Sequence, residues 1–396
     1  MYKSVGIIAE YNPFHTGHLY QTEILRSKGY ENIAVAMSGS CTQRGEFALF
    51  TKFERAKAAL AAGVDLVCEI PHPFSSMSAE GFATAGITAL KNIGVEAVSF
   101  GSECGDEKII KNIAEYLLSP LCEERLKSNL YAGMPYPRAR EKAIIDEFDY
   151  DKSILSASND ILAIEYAKAC IKLNWNPKFE VIGRQGANYN DKTLNQKYSS
   201  ASGIRTAVSN YRFDAAERYI PEKTLDIFRK NIDRGSYFLP EDQSYEKAVI
   251  FRLRQMTKAD FVSLPDCNEE IAGALENAVI KSCSLAQIYE NLPTKRYTRA
   301  RFNRIILAAL LSAKDLPISL PYLRILGMRK GKEHLMSRIS EISALPVSHS
   351  IKILAEKNDD CRKTVLLESR ATDCQTAFFK IIGEARKDYT EKFIKI

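Results

Sequence analysis

The stretch Gly6-Ile-Ile-Ala-Glu-Tyr-Asn-Pro-Phe-His-Thr-Gly-His-Leu-Tyr20 carries the strongest fold signal in the chain. The apolar run at 5–9 predicts a buried strand, the Asn-Pro pair predicts a turn, and a helix is expected to begin near Gly17. In open α/β sheets, ligands bind beyond the carboxyl ends of the strands, beside helix N-termini that favour phosphate. The segment therefore predicts a phosphate-binding turn in an α/β sheet.

Strand and helix signals alternate over the first ~210 residues, which predicts a parallel sheet with helices on its faces. Further strands are expected at 33–37, 66–70, 97–100 and 180–182, and helices at 18–28, 51–62, 78–92, 107–118 and 158–173. Beyond about residue 211 helical periodicity dominates, at 241–258, 268–279, 297–313, 333–342 and 376–395. We therefore expect a Rossmann-like α/β domain over 1–210, followed by a mostly helical domain over 211–396.

Composition sets the broad class of the protein. The 396 residues are 45% hydrophobic and 26% charged, ordinary globular values that exclude a mostly disordered chain. No run approaches the ~18 consecutive apolar residues of a membrane helix, and the N-terminus does not resemble a signal peptide, so a cytoplasmic location is expected. The nine cysteines include no CxxC pair, which predicts neither a disulfide framework nor a protein-bound metal.

Positive charge is concentrated late in the chain. Residues 1–150 carry 15 Lys and Arg against 19 Asp and Glu, whereas residues 291–332 carry ten basic residues and one acid, Asp315. A basic domain beside a slightly acidic one suggests a polyanionic partner, although a solvated helical surface explains the charge equally well. The candidate RNA-binding residues are Lys295, Arg296, Arg299, Arg301 and Arg304.

His15 and His18 lie three positions apart, so both can project from one side of the first helical turn. His-x-Gly-His at a strand–helix junction suits a grip on the phosphates of a nucleoside triphosphate while its α-phosphorus is attacked. Gly17 would let the ligand come close to the backbone. The alternative is a pair of capping or core histidines.

Several other strings follow in a distinctive order: Met37-Ser-Gly-Ser-Cys-Thr-Gln43-Arg44-Gly45-Glu46, Gly101-Ser102-Glu103, Tyr136-Pro137-Arg138-Ala139-Arg140, Ser158-Asn159-Asp160-Ile161-Leu162, Ser200-Ala-Ser202-Gly-Ile-Arg205 and Lys295-Arg296-Tyr297-Thr298-Arg299. Together with the His-x-Gly-His turn, they resemble the tRNA(Met) cytidine acetate ligase family of the nucleotidylyltransferase superfamily. The resemblance runs from residue 3 to about residue 332.

The resemblance implies a parallel-sheet nucleotidyltransferase fold and a two-step reaction. Acetate would take the adenylyl group of ATP, with Mg²⁺ on the triphosphate, and the acetyl group would pass to N4 of the wobble cytidine of elongator tRNA(Met). His15 and His18 would be catalytic. The ATP-binding residues it implies are Ile7, Ile8, Ala9, Glu10, Tyr11, Asn12, Pro13, Phe14, His15, Thr16, Gly17, His18, Leu19, Tyr20, Gly101, Asn159, Arg184, Ser202 and Arg205.

Simpler roles exist for several of these residues. Gly101 could belong to an ordinary turn, Asn159 could be a helix N-cap, and the Ser200 string could be an N-cap followed by a surface arginine. Arg44 could bind a carboxylate or a tRNA phosphate, or pair with Glu46. Asn190 stands where the family's Tyr-His-Asp pattern has its histidine.

Two other functions remain open at this point. A small-molecule carboxylate adenylyltransferase, similar to pantothenate synthetase, would share the histidine turn but leave the basic segment unexplained. A non-catalytic nucleotide-sensing RNA-binding protein would explain the charge but would not need both histidines. Residues alone do not select acetate or tRNA(Met), and they leave the oligomeric state open.

Overall fold

A computed structural model describes residues 3–148, 150, 152–155, 157–183, 200–294 and 296–396. Its centre is an eight-stranded sheet in the order β5-β4-β1-β2-β3-β6-β7, with β8 pairing to β6. The first five strands, all parallel to one another, confirm the sequence prediction; they are β1 (Ser4–Ala9), β2 (Asn32–Ser38), β3 (Leu66–Ile70), β4 (Ala97–Ser102) and β5 (Lys178–Gly183).

β1 is the strand at which the sheet reverses its winding. It pairs with β2 on one side, through Ser4 and Asn32, and with β4 on the other, through Val5 and Ala97. Such a reversal opens a crevice at the carboxyl ends of the strands, where ligands of open α/β sheets bind. The turn after β1 therefore lies at the binding crevice of the fold.

Helices cover the sheet as the apolar periodicity indicates. The helices between the first five strands are α1 (Thr16–Ser27), α2 (Lys52–Ala61), α3 (Ala79–Ile93), α4 (Glu107–Leu117), α5 (Pro120–Tyr131), α6 (Tyr136–Ile145) and α7 (Ser158–Lys172). α3 begins at its N-cap Ser78, whose hydroxyl accepts the N–H of Gly81, and it ends at Gly94 in the left-handed conformation. The five helices predicted in this part are confirmed.

The later residues are mostly helical, as expected. Their helices are α8 (Ala201–Ser209), α9 (Phe213–Glu217), α10 (Glu222–Asp233), α11 (Gln243–Arg254), α12 (Lys258–Val262), α13 (Glu269–Lys281), α14 (Leu285–Glu290), α15 (Arg299–Leu311), α16 (His334–Ile342), α17 (Ile351–Ala355), α18 (Asp359–Ala377) and α19 (Lys387–Thr390). The helix predicted at 376–395 is wrong. The chain leaves α18 there and pairs with an earlier segment, Lys380 N donating to Tyr237 O at 3.0 Å.

The C-terminal residues also add strands that helical periodicity did not indicate. These are β6 (Leu323–Met328), β7 (Val347–Ser348) and β8 (Ile394–Lys395). β6 runs antiparallel to β3 and pairs Leu66 with Met328. The division into domains at residue 210 stays a prediction, and these strands show that residues beyond it complete the sheet.

The hydrophobic core extends from the sheet into the later helices. Cys41 and Phe47, from the segment after β2, are buried in one cluster with Phe302 of α15 and Leu275 of α13. The loop at the end of β2 is therefore packed against the C-terminal helices. Within the described ranges, no helix combines the length and the hydropathy that crossing a bilayer requires.

Candidate active site

A cavity of about 580 Å³ opens at the carboxyl ends of β1, β4 and β5. The first turns of α1, α3, α7, α8 and α15 all contribute to its wall. Helix N-termini carry free N–H groups and partial positive charge, so their convergence favours a polyanionic ligand. The cavity therefore suits a nucleoside polyphosphate in both position and electrostatics.

The two histidines of the turn form a capping box at the start of α1. His15 is the N-cap, and its Nδ1 accepts the N–H of Gly17 at 3.0 Å, while His18 Nδ1 accepts the N–H of His15 at 3.2 Å. The rings stack with their centroids 3.7 Å apart. Because each Nδ1 accepts a hydrogen bond, a neutral ring carries its hydrogen on Nε2. Both residues line the cavity, so this arrangement can offer two N–H donors to phosphate oxygens.

The residues around the histidines set their position. Tyr11 adopts a left-handed backbone with φ of 47°, an uncommon conformation for a non-glycine residue, and its buried ring contacts Phe14 and His18 edge-on. A Cβ on Gly17 would lie 2.9 Å from Cε1 of His15. Glycine at this position therefore makes room for the imidazole, in addition to any approach of a ligand.

A buried arginine fixes the ends of β1 and β2. Arg55 donates from Nη1 to Glu10 O at 2.6 Å and to Ser38 O at 3.0 Å, from Nε to Phe50 O at 3.2 Å, and from Nη2 to Gly39 O. Burial lowers the pKa of Arg55 to about 10, which still leaves the group charged at neutral pH. One guanidinium therefore satisfies four carbonyls where two strands end beside the cavity.

The loop after β4 is held by the start of α7. The buried Asp160 accepts hydrogen bonds from Ser102 Oγ at 2.5 Å and from the N–H of Glu103 at 2.9 Å. Asn159 is not the N-cap, which is Ala157; its Nδ2 donates to Glu103 Oε1 at 2.5 Å. Gly101 and Asn159 both line the cavity, so this network sets the wall near β4.

The segment after β2 bridges the histidine turn and α15. Gln43 N donates to Glu10 Oε1 at 2.8 Å, and Asn303 Nδ2 of α15 donates to Glu46 Oε1 at 3.2 Å. Gly45, with φ of +78°, packs against the backbone of Arg304. Gln43, Arg44 and Arg304 line the cavity. The C-terminal helices therefore supply one wall of the site.

The structure brings most of the predicted ATP-binding residues into this lining: Ile7, Ile8, Ala9, Glu10, Tyr11, Asn12, His15, Gly17, His18, Tyr20, Gly101 and Asn159. Six further described residues do not contribute to the lining, namely Pro13, Phe14, Thr16, Leu19, Ser202 and Arg205. Arg205 donates to Asn12 O at 2.8 Å, and Ser200 is the N-cap of α8. Arg184, Asn190 and Lys295 lie outside the described residues. The binding roles stay predictions.

Several basic side chains of the segment 291–332 interact with other groups of the protein. Arg296 is paired with Glu270, Arg299 lies 4.1 Å from the ring centroid of Tyr289, and Arg301 Nε donates to Asp266 O at 2.9 Å. Arg304, one of the predicted RNA-binding residues, lies in the cavity wall. Arg324 is buried within the protein. Among the described residues, the ten basic side chains counted at 291–332 therefore contribute less exposed positive surface than their number suggests.

Several residues of the wall were missed at the level of sequence. Gln21 lies one turn beyond His18 on the same face of α1, and Phe82 lies one turn beyond Ser78 on α3. Helical spacing from each helix start could have identified both. Tyr166 and Thr298 also contribute, but their place depends on tertiary packing that no local pattern reveals.

Comparison with known proteins agrees with this fold and site. The sequence profile of the family described as HIGH Nucleotidyl Transferase matches residues 2–390. A protein of Fervidobacterium nodosum named tRNA(Met) cytidine acetate ligase is 34% identical, over 91% of this chain and 87% of its own length. One of the same name from Caldanaerobacter subterraneus is 32% identical and covers both chains completely. The chain therefore belongs to the HIGH nucleotidyl transferase family and, within it, to that of the tRNA(Met) cytidine acetate ligases.

Solved structures share the whole architecture. The crystal structure of apo Thermotoga maritima TmcAL superposes with a TM-score of 0.93 at 26% identity, covering 100% of this chain and 99% of that one. The structure of TmcAL bound with alpha-thio ATP gives a TM-score of 0.90 over the same shares. The similarity therefore includes the sheet, the crevice and the C-terminal helices.

Proposed function

We propose that this protein is an ATP-dependent ligase that forms N4-acetylcytidine at the wobble position of elongator tRNA(Met). The proposal includes an acetyl-adenylate intermediate and takes its substrates from the names of the relatives and of the ATP-analogue complex. The observation that carries it is the stacked pair His15 and His18, at the crevice of the sheet, with Nδ1 of each ring committed to a backbone N–H. A tRNA-modifying enzyme of this kind would act in the cytoplasm.

In the proposed first step, a carboxylate oxygen of acetate attacks the α-phosphorus of ATP and pyrophosphate leaves. Negative charge increases on the phosphoryl oxygens and the leaving group, and the Nε2–H groups of His15 and His18 would donate to it. The converging helix N-termini would hold the rest of the triphosphate. No covalent link to the enzyme is needed, because positioning and electrostatics lower the barrier.

We further propose that Mg²⁺ accompanies the triphosphate. The described lining offers imidazoles, backbone N–H groups, arginines and one carboxylate, Glu10, and this donor set suits phosphate better than a resident metal. A bound ion would be held mainly by phosphate oxygens and would offset part of their charge.

The second substrate is proposed to reach the cavity from the α15 side. Arg296 and Arg299 are exposed beside the start of α15, and Arg304 continues into the cavity wall. Basic side chains in this arrangement would contact the phosphates of the anticodon loop, while an unstacked cytidine enters the cavity.

The test is ATP–pyrophosphate exchange with acetate and with larger carboxylic acids, followed by nucleoside analysis of elongator tRNA(Met) after incubation with ATP and acetate. Exchange that depends on acetate, together with N4-acetylcytidine in the tRNA, is expected. Exchange only with a larger acid would instead identify a small-molecule adenylyltransferase. ATP and tRNA binding without exchange would identify a nucleotide-sensing RNA-binding protein.

A further inference from the structure

We propose that Glu10 is the catalytic base that accepts the proton of the cytidine amine during acetyl transfer, an inference that rests on the proposed function. Glu10 follows β1 directly, lies five residues before His15 and lines the cavity. It is the one Asp or Glu that the described residues contribute to the lining.

The contacts of Glu10 hold one carboxylate oxygen and leave the other for chemistry. Oε1 accepts the N–H of Gln43 at 2.8 Å, and the backbone oxygen of Glu10 accepts from Arg55 Nη1 at 2.6 Å. Oε2 accepts no hydrogen bond from the part of the chain that the structure describes. The side chain is therefore positioned, with a proton-accepting atom to spare.

Other titratable groups of the lining are unsuited to this task. His15 and His18 use Nδ1 to accept backbone N–H groups, which commits Nε2 to donating. The remaining groups are tyrosine phenols and the guanidinium groups of Arg44 and Arg304, which ordinarily keep their protons at neutral pH. A carboxylate is the group of this set that can take a proton.

The transfer step requires such an acceptor. The lone pair of the exocyclic nitrogen is delocalised into the cytosine ring, so this amine is a weak nucleophile. As N4 forms its bond to the carbonyl carbon of acetyl-adenylate, the bond from that carbon to the phosphate oxygen breaks and AMP leaves with the electron pair. The N4 proton passes to Oε2. A carboxylate in this cavity also repels the triphosphate, a cost that a catalytic role explains.

The location of Glu10 matches the acceptor's side of the site. Gln43, which holds Glu10, is two residues from Gly45, and Gly45 packs against the backbone of Arg304. Glu10 is therefore connected on one side to the histidine turn and on the other to the helix from which the RNA would approach. An acyl-adenylate held by the imidazoles would lie beside it.

The test compares two rates in Glu10→Gln. One is acetate-dependent ATP–pyrophosphate exchange without tRNA, and the other is single-turnover acetyl transfer to elongator tRNA(Met) from enzyme already incubated with ATP and acetate. The amide oxygen can still accept the Gln43 N–H. General base catalysis typically contributes 10²–10⁴-fold, so we expect transfer to fall by about this factor, and at least tenfold more than exchange. Glu10→Asp should recover part of the transfer rate.

Glu23→Gln is the matched control, since it removes the same charge from an exposed position on α1. A transfer rate in Glu10→Gln like that of this control would overturn the proposal. Equal losses in exchange and transfer would also overturn it, because they would show that Glu10 serves nucleotide or Mg²⁺ binding. Wild-type protein that gives no acetate-dependent exchange would refute the proposed function itself, and this inference with it.

Discussion

Lys52 and Glu368, 316 positions apart in the chain, form an ion pair that is buried from solvent, with Nζ 2.8 Å from Oε1. The same ammonium contacts Glu69 Oε1 at 2.5 Å and Asp388 Oδ1 at 2.7 Å, so three carboxylates surround its single positive charge. Arg324 of β6 pairs with Glu69 and Asp388 as well. These contacts join α2, β3, β6, α18 and α19 behind the cavity.

Glu368 also connects this network to the active site. Its Oε1 accepts the N–H of Ser40 at 2.8 Å, and its Oε2 accepts the N–H of His72 at 2.5 Å. Ser40 and His72 follow β2 and β3, on the segments that lead to Gln43 and Ser78 in the cavity wall. A carboxylate from α18 therefore positions two of the loops that form the site.

Glu368→Gln should destabilise the fold by about 3–5 kcal/mol, because it removes one carboxylate from a buried network of ion pairs and hydrogen bonds. The side-chain NH₂ of the variant would also face an N–H group of Ser40, Lys52 or His72, and these groups can only donate hydrogen bonds. Urea unfolding should show a lower free energy of unfolding than in Glu341→Gln, a control at an exposed position of α16. Equal stability of the two variants would contradict a structural role for this network.

The buried His72 should make stability depend on pH. Burial lowers the pKa of His72 to about 3, against about 6.5 in an unfolded chain. Between these values the unfolded chain binds a proton that the native chain does not. Stability from this group is complete above pH ~6.5 and decreases by about 1.4 kcal/mol per pH unit as the pH falls toward 3. In His72→Asn, whose side chain can still reach Ser76, the free energy of unfolding should fall by about 2 kcal/mol less between pH 7 and pH 5 than it does in the wild type. An unchanged pH dependence would contradict the assignment.

The sequence predicts those parts of the fold whose signal is local. Strands β1 to β4 appear as apolar runs, because a strand inside the sheet is buried on both faces. β6 is harder to predict, since it carries Arg324, whose partners Glu69 and Asp388 are distant in sequence. The error at 376–395 has a similar cause: this segment bonds to residues near 235–238, as in Ile381 N to Gly235 O at 2.9 Å, and no periodicity indicates that pairing.

The same distinction holds for the site. The histidine turn can be predicted from the sequence because strand, turn, cap and helix follow one another within 20 residues. The position of Arg304 in the cavity wall cannot be predicted in this way, because it depends on the close approach of Gly45 to the backbone of α15. A basic residue that looks like part of an RNA surface thus becomes part of the cavity wall once tertiary contacts form.

Substitutions at His18 can separate its two roles. His18→Asn keeps an acceptor near the position of Nδ1, which caps the N–H of His15, and removes the Nε2–H donor. Acetate-dependent exchange should fall by about 10²–10³-fold in this variant, the typical loss for one preorganised donor. His18→Gln keeps a donor near the position of Nε2 and should lose less activity but more stability, by up to about 1 kcal/mol. The reverse order of activities would contradict the donor role.

Gly45→Ala should disturb the packing of the segment after β2 against α15. A Cβ there would lie 2.4 Å from the backbone nitrogen of Arg304, so the loop carrying Gln43 and Arg44 must shift. Gly29→Ala is a matched control, because Gly29 has φ of +79° and no atom within 4 Å of its added Cβ. Both variants should lose about 1 kcal/mol from the left-handed backbone. Gly45→Ala should lose more, together with exchange activity; equal effects would mean that the packing against α15 is unimportant.

Exposed arginines beside α15 should control the affinity for tRNA and its dependence on salt. Replacing Arg296 and Arg299 with Gln removes two exposed charges, although Glu270 and Tyr289 already engage them. The slope of log affinity against log salt should decrease by about 0.7–0.9 for each RNA phosphate that an arginine no longer neutralises. Filter binding at several salt concentrations can measure this, with replacement of the exposed Lys223 and Lys230 of α10 by Gln as a charge-matched control. An unchanged slope would place the RNA elsewhere, and an equal loss of exchange without tRNA would show that these arginines act on the nucleotide.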